Sequence, residues 1–187
     1  YVPLLKDAYQ LWRELEEESG NNLLTLTNGL IIGNPDSEEM KNVFKSIQDY
    51  DLDHEILSKE EAKIKYPQHH LHSDEQVIID KLSGYLRPQL SVVSAVQRAR
   101  ELGADIHSHT TVDNIVSERD GVSIYAGGEV YKVDKVLITA GPWAANFMRE
   151  FAEFMDVRRL VSAWFLPRKS DYFNEKNFPV FTRESED

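Results

Sequence analysis

Cysteine is absent from all 187 residues, which removes disulfides, thiolate nucleophiles and cysteine-ligated metals from the chemistry open to the chain. Long apolar runs are missing as well. No stretch approaches the roughly 20 residues of a membrane-spanning helix, and no leader with a basic start and an apolar middle is visible. Positive charge is scarce: 21 Lys and Arg stand against 32 Asp and Glu, a net charge of −11. Neither a nucleic-acid backbone nor an anionic membrane is therefore expected as a partner. The acidity reads as solubility, and a cytoplasmic location is expected. Nine glycines never form G-x-G-x-x-G, and neither a P-loop nor a nucleophile-elbow serine occurs. The chain opens Tyr-Val-Pro, without Met, and closes on TRESED. Both ends read as cuts, so a longer parent is expected.

What is present is a chain that can bury a core, with 41% hydrophobic residues, and that reads as one domain or a lobe of a larger one. Leu4, Leu5, Ala8, Leu11, Trp12 and Leu15 recur at helical spacing before Gly20. Two short strands flank Asn28-Gly29, a hairpin-type pair. Ser37 can cap a helix whose apolar face is Met40, Val43, Phe44 and Ile47. Ser58 with Glu61 spells a capping box for a short helix that stops at Tyr66-Pro67. One or two strands follow, with a turn at Ser83-Gly84. Pro88 opens a further helix with the stripe Leu90, Val93, Val96, Ala99 and Leu102, closed by Gly103. Three strands joined by Asp120-Gly121 and Gly127-Gly128 turns read as a meander. The all-apolar Val136–Ile138 reads as a strand buried on both faces of a parallel sheet, packed by the meander and by the Pro88 helix. A helix after Gly141 should carry Ala144, Phe147, Met148 and Phe151 inward. Residues 159–167 and 178–182 finish as strands. The order predicts a mixed α/β (α+β) fold with an antiparallel part.

The polar stretches invite chemical readings. His69, His70 and His72 offer three imidazoles, but a Pro-bounded polar loop does not converge ligands on one point, so they read as solvated. His107 and His109 read as residues on one side of an edge strand. Glu16, Glu17 and Glu18 read as the solvated back of the first helix. The informative stretch is KVLITAGPWAANFM, residues 135–148. A strand ends at Ala140-Gly141, where small residues let a ligand approach the backbone. The helix expected from Pro142 would point free N–H groups at the same spot, favouring an anion. A tight strand-to-helix turn explains the residues equally well.

Taken in order, YVPLLKDAYQLWRELEEESGNNLLTLTNGLIIG, SGYLRPQLSVVSAVQRARELGADIHSHTTVDNI, VDKVLITAGPWAANF and SAWFLPRKSDYFNEKNFPVFT resemble the middle portion of the monomeric sarcosine oxidase and N-methyltryptophan oxidase family, within the D-amino-acid-oxidase-like flavoproteins. The resemblance covers almost the whole chain. It implies a slice of an FAD-binding doubly wound domain with its β-meander, plus the start of an antiparallel-sheet substrate domain. Residues 1–87 would be mainly substrate domain, 88–150 FAD domain and 151–187 substrate-domain strands. Val112 would meet the adenine end of FAD through its backbone. Ala140, Gly141 and Trp143 would lie near the pyrophosphate and ribityl part.

The implied activity is hydride removal from the C–H beside a secondary amine, with hydrolysis of the imine and reduction of O2 to H2O2. The partner would be a small secondary amine or N-methyl amino acid. A glycine or D-amino-acid oxidase is the alternative within the group, and a non-catalytic ligand- or partner-binding module is the alternative outside it. The family's Gly-rich fingerprint falls before Tyr1 and its ring-side Lys, His and flavin-linking cysteine after Asp187, so no catalytic residue is assigned. This chain alone is expected to be inactive and able to self-associate. Trp164 and Phe165 read as sheet core, with the substrate pocket as the other placement.

Overall fold

A computed structural model describes residues 1–184. The chain divides into two compact units, residues 105–164 forming one and the remainder the other.

In the larger unit, helix α1 (Val2–Ser19) closes at Gly20. Strands β1 (Leu24–Leu26) and β2 (Gly29–Gly33) follow, then α2 (Glu38–Tyr50), β3 (His54–Leu57), α3 (Lys59–Lys65), β4 (Gln76–Asp80), β5 (Gly84–Leu86), α4 (Pro88–Glu101) and, from the far end of the chain, β9 (Val180–Arg183). The expected hairpin at Asn28-Gly29 does not form. β1 pairs antiparallel with β5, whereas β2 lies in a sheet of order β3-β4-β2-β9. β2 runs antiparallel to β4 and parallel to β9. An Asn-Gly pair shapes a turn locally, but which strands it joins depends on distant partners: Leu30, Ile32, Val77 and Ile79 bury together only when β2 lies beside β4. Alternation along the strands then makes two faces. One packs Leu30, Ile32, Val77 and Ile79 against Leu57, Ala62 and Tyr66 around α3. The other presents Ile31 and Ile78 toward Val43 and Ile47 of α2.

The local signals act as expected at the caps. The Ser37 hydroxyl accepts from the Met40 N–H, and Ser58 and Glu61 form a reciprocal capping box. Two sequence expectations fail here. The apolar stripe of α4 is only partly its covered face: Ser91 and Ser94 are buried and Leu90, Val96 and Ala99 half-buried, while Val93 and Leu102 are 59% and 71% exposed. Polar contacts set this orientation, since Asn21 donates to the Ser94 hydroxyl at 3.0 Å and Arg98 grips Glu18 of α1. Glu16 is not a solvated carboxylate. It turns inward and accepts the Leu23 and Leu24 N–H groups at 2.6 and 2.8 Å while Arg13 binds its other oxygen. Burial alone would raise its pKa, but these bonds outweigh it and hold the carboxyl below its ordinary value.

The smaller unit contains the meander β6 (Val112–Glu118), β7 (Gly121–Ala126) and β8 (Glu129–Val133), paired antiparallel in that order. The expected parallel strand at Val136–Ile138 is absent: the segment carries no ladder and Leu137 is 85% exposed. Among the described residues no strand pairs with it, and an apolar run without a ladder partner has nothing to hold it extended and covered. The helix expected after Gly141 is instead two short 3-10 segments, Gly141–Asn146 and Arg149–Phe154, with Phe151 half exposed. A single turn fixes several dihedrals for few hydrogen bonds and persists as a longer helix only with a packed face. Residues 159–167 likewise form no strand, and Trp164 and Phe165 are 93% and 88% exposed rather than core. His107 and His109 precede β6 in a loop, with His109 at φ 55° in a turn.

Candidate functional site

The predicted contacts divide into two pairs. Val112 and Ala140, both half-buried, line one apolar groove of about 260 Å³ together with Ile115, Ile124, Leu137 and Phe147. The groove lies wholly within the smaller unit. Its shape depends on a register break in β6. Val112 pairs with Ala126, but Asn114 pairs with Tyr125, so one extra residue is inserted between them. Residues 112 and 115 would face opposite sides of a regular strand; the bulge reverses the alternation and puts both on the groove. Phe147 was expected inward on a helix after Gly141, whereas Ile115 and Ile124 were not singled out from the sequence. Their signal was the alternation along the meander, and the bulge that decides the side has no distinctive composition.

Gly141 and Trp143 stand beside the groove rather than in its lining. Gly141 takes φ 52°, left-handed, and a Cβ built there would meet no atom within 4 Å. Trp143 is 67% exposed, and its N–H already donates to the Ala140 carbonyl at 3.1 Å. With two short 3-10 segments in place of one α-helix, the dipole invoked for an anion is not built here. No charged side chain lines the groove. Its chemistry suits an apolar or aromatic ring.

The remaining polar candidates part ways. Among the described residues no group of three or more His, Asp or Glu side chains is placed to hold a metal. His69, read as solvated, is buried: its ring stacks on Phe178 at 4.9 Å and meets Phe181 edge-on at 4.7 Å. The sequence placed it in a polar loop; the phenylalanines that cover it arrive from more than 100 residues away. His70 and His72 are exposed. In the larger unit an apolar cleft of about 300 Å³ lies between α2 and the sheet, with Asp53 and Asp80 among its lining. Those carboxylates are already engaged, Asp53 by Lys81 and Asp80 by the Leu82 N–H and the Ser83 hydroxyl.

The family described as FAD dependent oxidoreductase matches residues 1–187. The chain belongs to that family. It is 30% identical over 185 residues to the monomeric sarcosine oxidase of Streptomyces avermitilis, covering 98% of this chain and 48% of that protein. It is also 30% identical over 189 residues to the N-methyl-L-tryptophan oxidase of Yersinia pestis, covering 100% and 50%. The chain therefore spans about half the length of the curated relatives it matches. Among solved structures it resembles NikD, an unusual amino acid oxidase essential for nikkomycin biosynthesis (TM-score 0.66, 20% identity, 76% of this chain and 37% of that one). It also resembles glycine oxidase from Geobacillus kaustophilus (TM-score 0.62, 19% identity, 78% and 40%). At such identities the likeness is one of fold, and the family's mixed α/β architecture agrees with the helices and sheets described above. The family's cofactor is FAD. No helix is long and apolar enough to cross a membrane among the described residues.

Proposed function

We propose that this chain is part of a cytoplasmic FAD-dependent oxidase that acts on the C–N bond of a small secondary amine or N-methyl amino acid. What carries the reading is 30% identity to both a sarcosine oxidase and an N-methyl-L-tryptophan oxidase over essentially every residue of this chain. Bound FAD would supply the two-electron acceptor for the amine C–H, with O2 as the final oxidant yielding H2O2.

This chain's own part is to hold and shield. Val112 would present its backbone to the adenine end of the cofactor, and Ala140 with Gly141 a surface bare of large side chains to its pyrophosphate and ribityl part. Trp143 would cover it from solvent with a flat apolar ring. The apolar lining of Ile115, Ile124 and Phe147 would exclude water there. The groove accommodates a ring-sized portion and contains no cation, so the pyrophosphate would be held by groups other than those of the groove.

The test is expression of the complete reading frame that contains this sequence. Bound flavin is read by visible absorbance, and H2O2 is followed with sarcosine, N-methyl-L-tryptophan, glycine and D-alanine. Peroxide from the N-methylated amino acids above the primary amines is expected. Flavin with no peroxide from any amine, or a preference for glycine or D-alanine, would overturn the substrate class.

A further inference from the structure

The contacts around His69 tie two segments distant in sequence. The loop after α3 contributes Gln68 and His69. The stretch leading into β9 contributes a short 3-10 turn, Ser170–Phe173, and the rings of Phe173 and Phe178, and β9 itself contributes Phe181. The Gln68 amide donates to the Tyr172 carbonyl at 2.5 Å and to the Asn177 carbonyl at 3.3 Å. His69 fills the space between Phe178, stacked with planes 6° apart, and Phe181, met edge-on at 72°. The imidazole is 9% exposed, and among the described residues no protein group lies within hydrogen-bond reach of its Nε2.

We propose that His69 is a pH-gated latch: neutral, it clasps residues 170–181 to the loop after α3, and protonated, it releases them. A neutral imidazole suits this site because its ring stacks on Phe178 and meets a second apolar ring, Phe181, edge-on. A protonated ring would be a buried cation without an acceptor at Nε2. The groups around it do not offset that charge. From β9 comes the Arg183 guanidinium, itself a cation. Glu75, in the loop before β4, is already bound bidentate by Arg183 and also accepts the His72 N–H. From the end of α3 comes Tyr66, whose carbonyl accepts the His69 N–H and whose phenol is pushed up by burial. The 170–178 stretch presents the Phe178 ring to the imidazole. Burial first, and Arg183 second, hold the imidazole below its ordinary 6.5.

The sign follows from that depression. The folded state disfavours the proton, so the latch is intact above about pH 6.5, the unfolded value. It weakens as pH falls from there to the lowered folded value. Glu75 is held below 4.5, so it remains mostly ionised at pH 5 and above.

The experiment is backbone hydrogen exchange on the protein expressed from the complete reading frame that contains this sequence, reading peptides across 170–181 at about pH 7.5 and about pH 5, either side of the histidine range. Rates are divided by the chemical exchange rate of the unprotected peptide. Protection should fall by about tenfold for each pH unit by which the fold depresses His69, while β4 stays protected. His69→Phe keeps a flat apolar ring that cannot titrate, so its 170–181 protection should be the same at both pH values. Equal corrected protection of the wild type at both pH values would overturn the latch, as would an undiminished step in His69→Phe. Should His69→Phe not fold, imidazole resonances of the wild type decide. A histidine midpoint below 6.5 that coincides with the opening of 170–181 supports the latch, and midpoints that do not coincide overturn it.

Discussion

Arg183 and Glu75 form a bidentate pair, Nε to Oε1 and Nη2 to Oε2 both at 2.6 Å, with the Glu75 side chain only 8% exposed. The pair binds the last strand, β9, to the loop before β4, and Arg183 also donates to the His70 carbonyl. Burial alone would raise the Glu75 pKa. The Arg183 bonds, with the His72 N–H, overcome it and leave the carboxyl below 4.5. A carboxyl depressed in the fold stabilises above its unfolded value, and that stability is lost as pH falls through the folded value.

Arg183→Met should therefore cost about 2–3 kcal/mol, because it strands a buried carboxylate. Glu75→Gln should cost less and flatten the acid limb of the stability curve below about pH 4.5. Urea midpoints measured between neutral pH and the acid limb check both. An Arg183→Met chain as stable as wild type would show that the pair contributes nothing.

At Gly84 the two-stranded β1–β5 ribbon leaves no room. A Cβ there would stand against the Thr25 carbonyl oxygen and the Leu26 Cα, both backbone atoms that cannot rotate away. Gly84→Ala should force the strands apart and destabilise by about 1–3 kcal/mol. Chemical denaturation reads the loss. Gly128→Ala, where a Cβ meets nothing within 4 Å, separates crowding from backbone strain because it sits at φ 83°.

Gly141 has the opposite character, with open space around a left-handed backbone. Valine there costs about 1–2 kcal/mol of strain, whereas asparagine tolerates the conformation. In the complete reading frame, Gly141→Val and Gly141→Asn should both retain less flavin after gel filtration than Val112→Ala, which keeps the main-chain atoms. If only the valine variant loses flavin, the cause is strain and not a cofactor against the turn.

The 187-residue chain by itself should be colourless and produce no H2O2 with FAD and N-methyl amino acids. A groove of about 260 Å³ without a lining charge covers too little of a dinucleotide to retain it. The chain should also self-associate, since Leu160, Val161, Trp164, Phe165 and Leu166 are all at least 88% exposed. Sedimentation velocity should show concentration-dependent oligomers that decline in Leu160→Asp/Trp164→Asp. Monomer at every concentration would remove the self-association, and stoichiometric yellow flavin would remove the cofactor argument.

The elements legible in the sequence are those decided within a few residues. Ser37 caps α2 and Ser58 with Glu61 caps α3, because a hydroxyl or carboxylate three residues away satisfies a free N–H whatever the rest of the chain does. The meander forms much as its Gly-containing turns suggested, the first turn lying one residue earlier at Arg119-Asp120 and the second at Gly127-Gly128, because each joins strands adjacent in sequence. The family resemblance was legible for a different reason, the order of motifs along the chain. Tertiary structure alone decided the rest. It paired β1 with β5 and β2 with β4, since an Asn-Gly pair between β1 and β2 does not decide whether those two strands pair with each other. It left Val136–Ile138 without a ladder, since an apolar run becomes a strand only beside another. It turned Glu16 toward two backbone N–H groups, and it buried His69 under phenylalanines from the far end of the chain. Burial and strand pairing are properties of partners, and those partners stand too far along the chain for any local spacing to announce them.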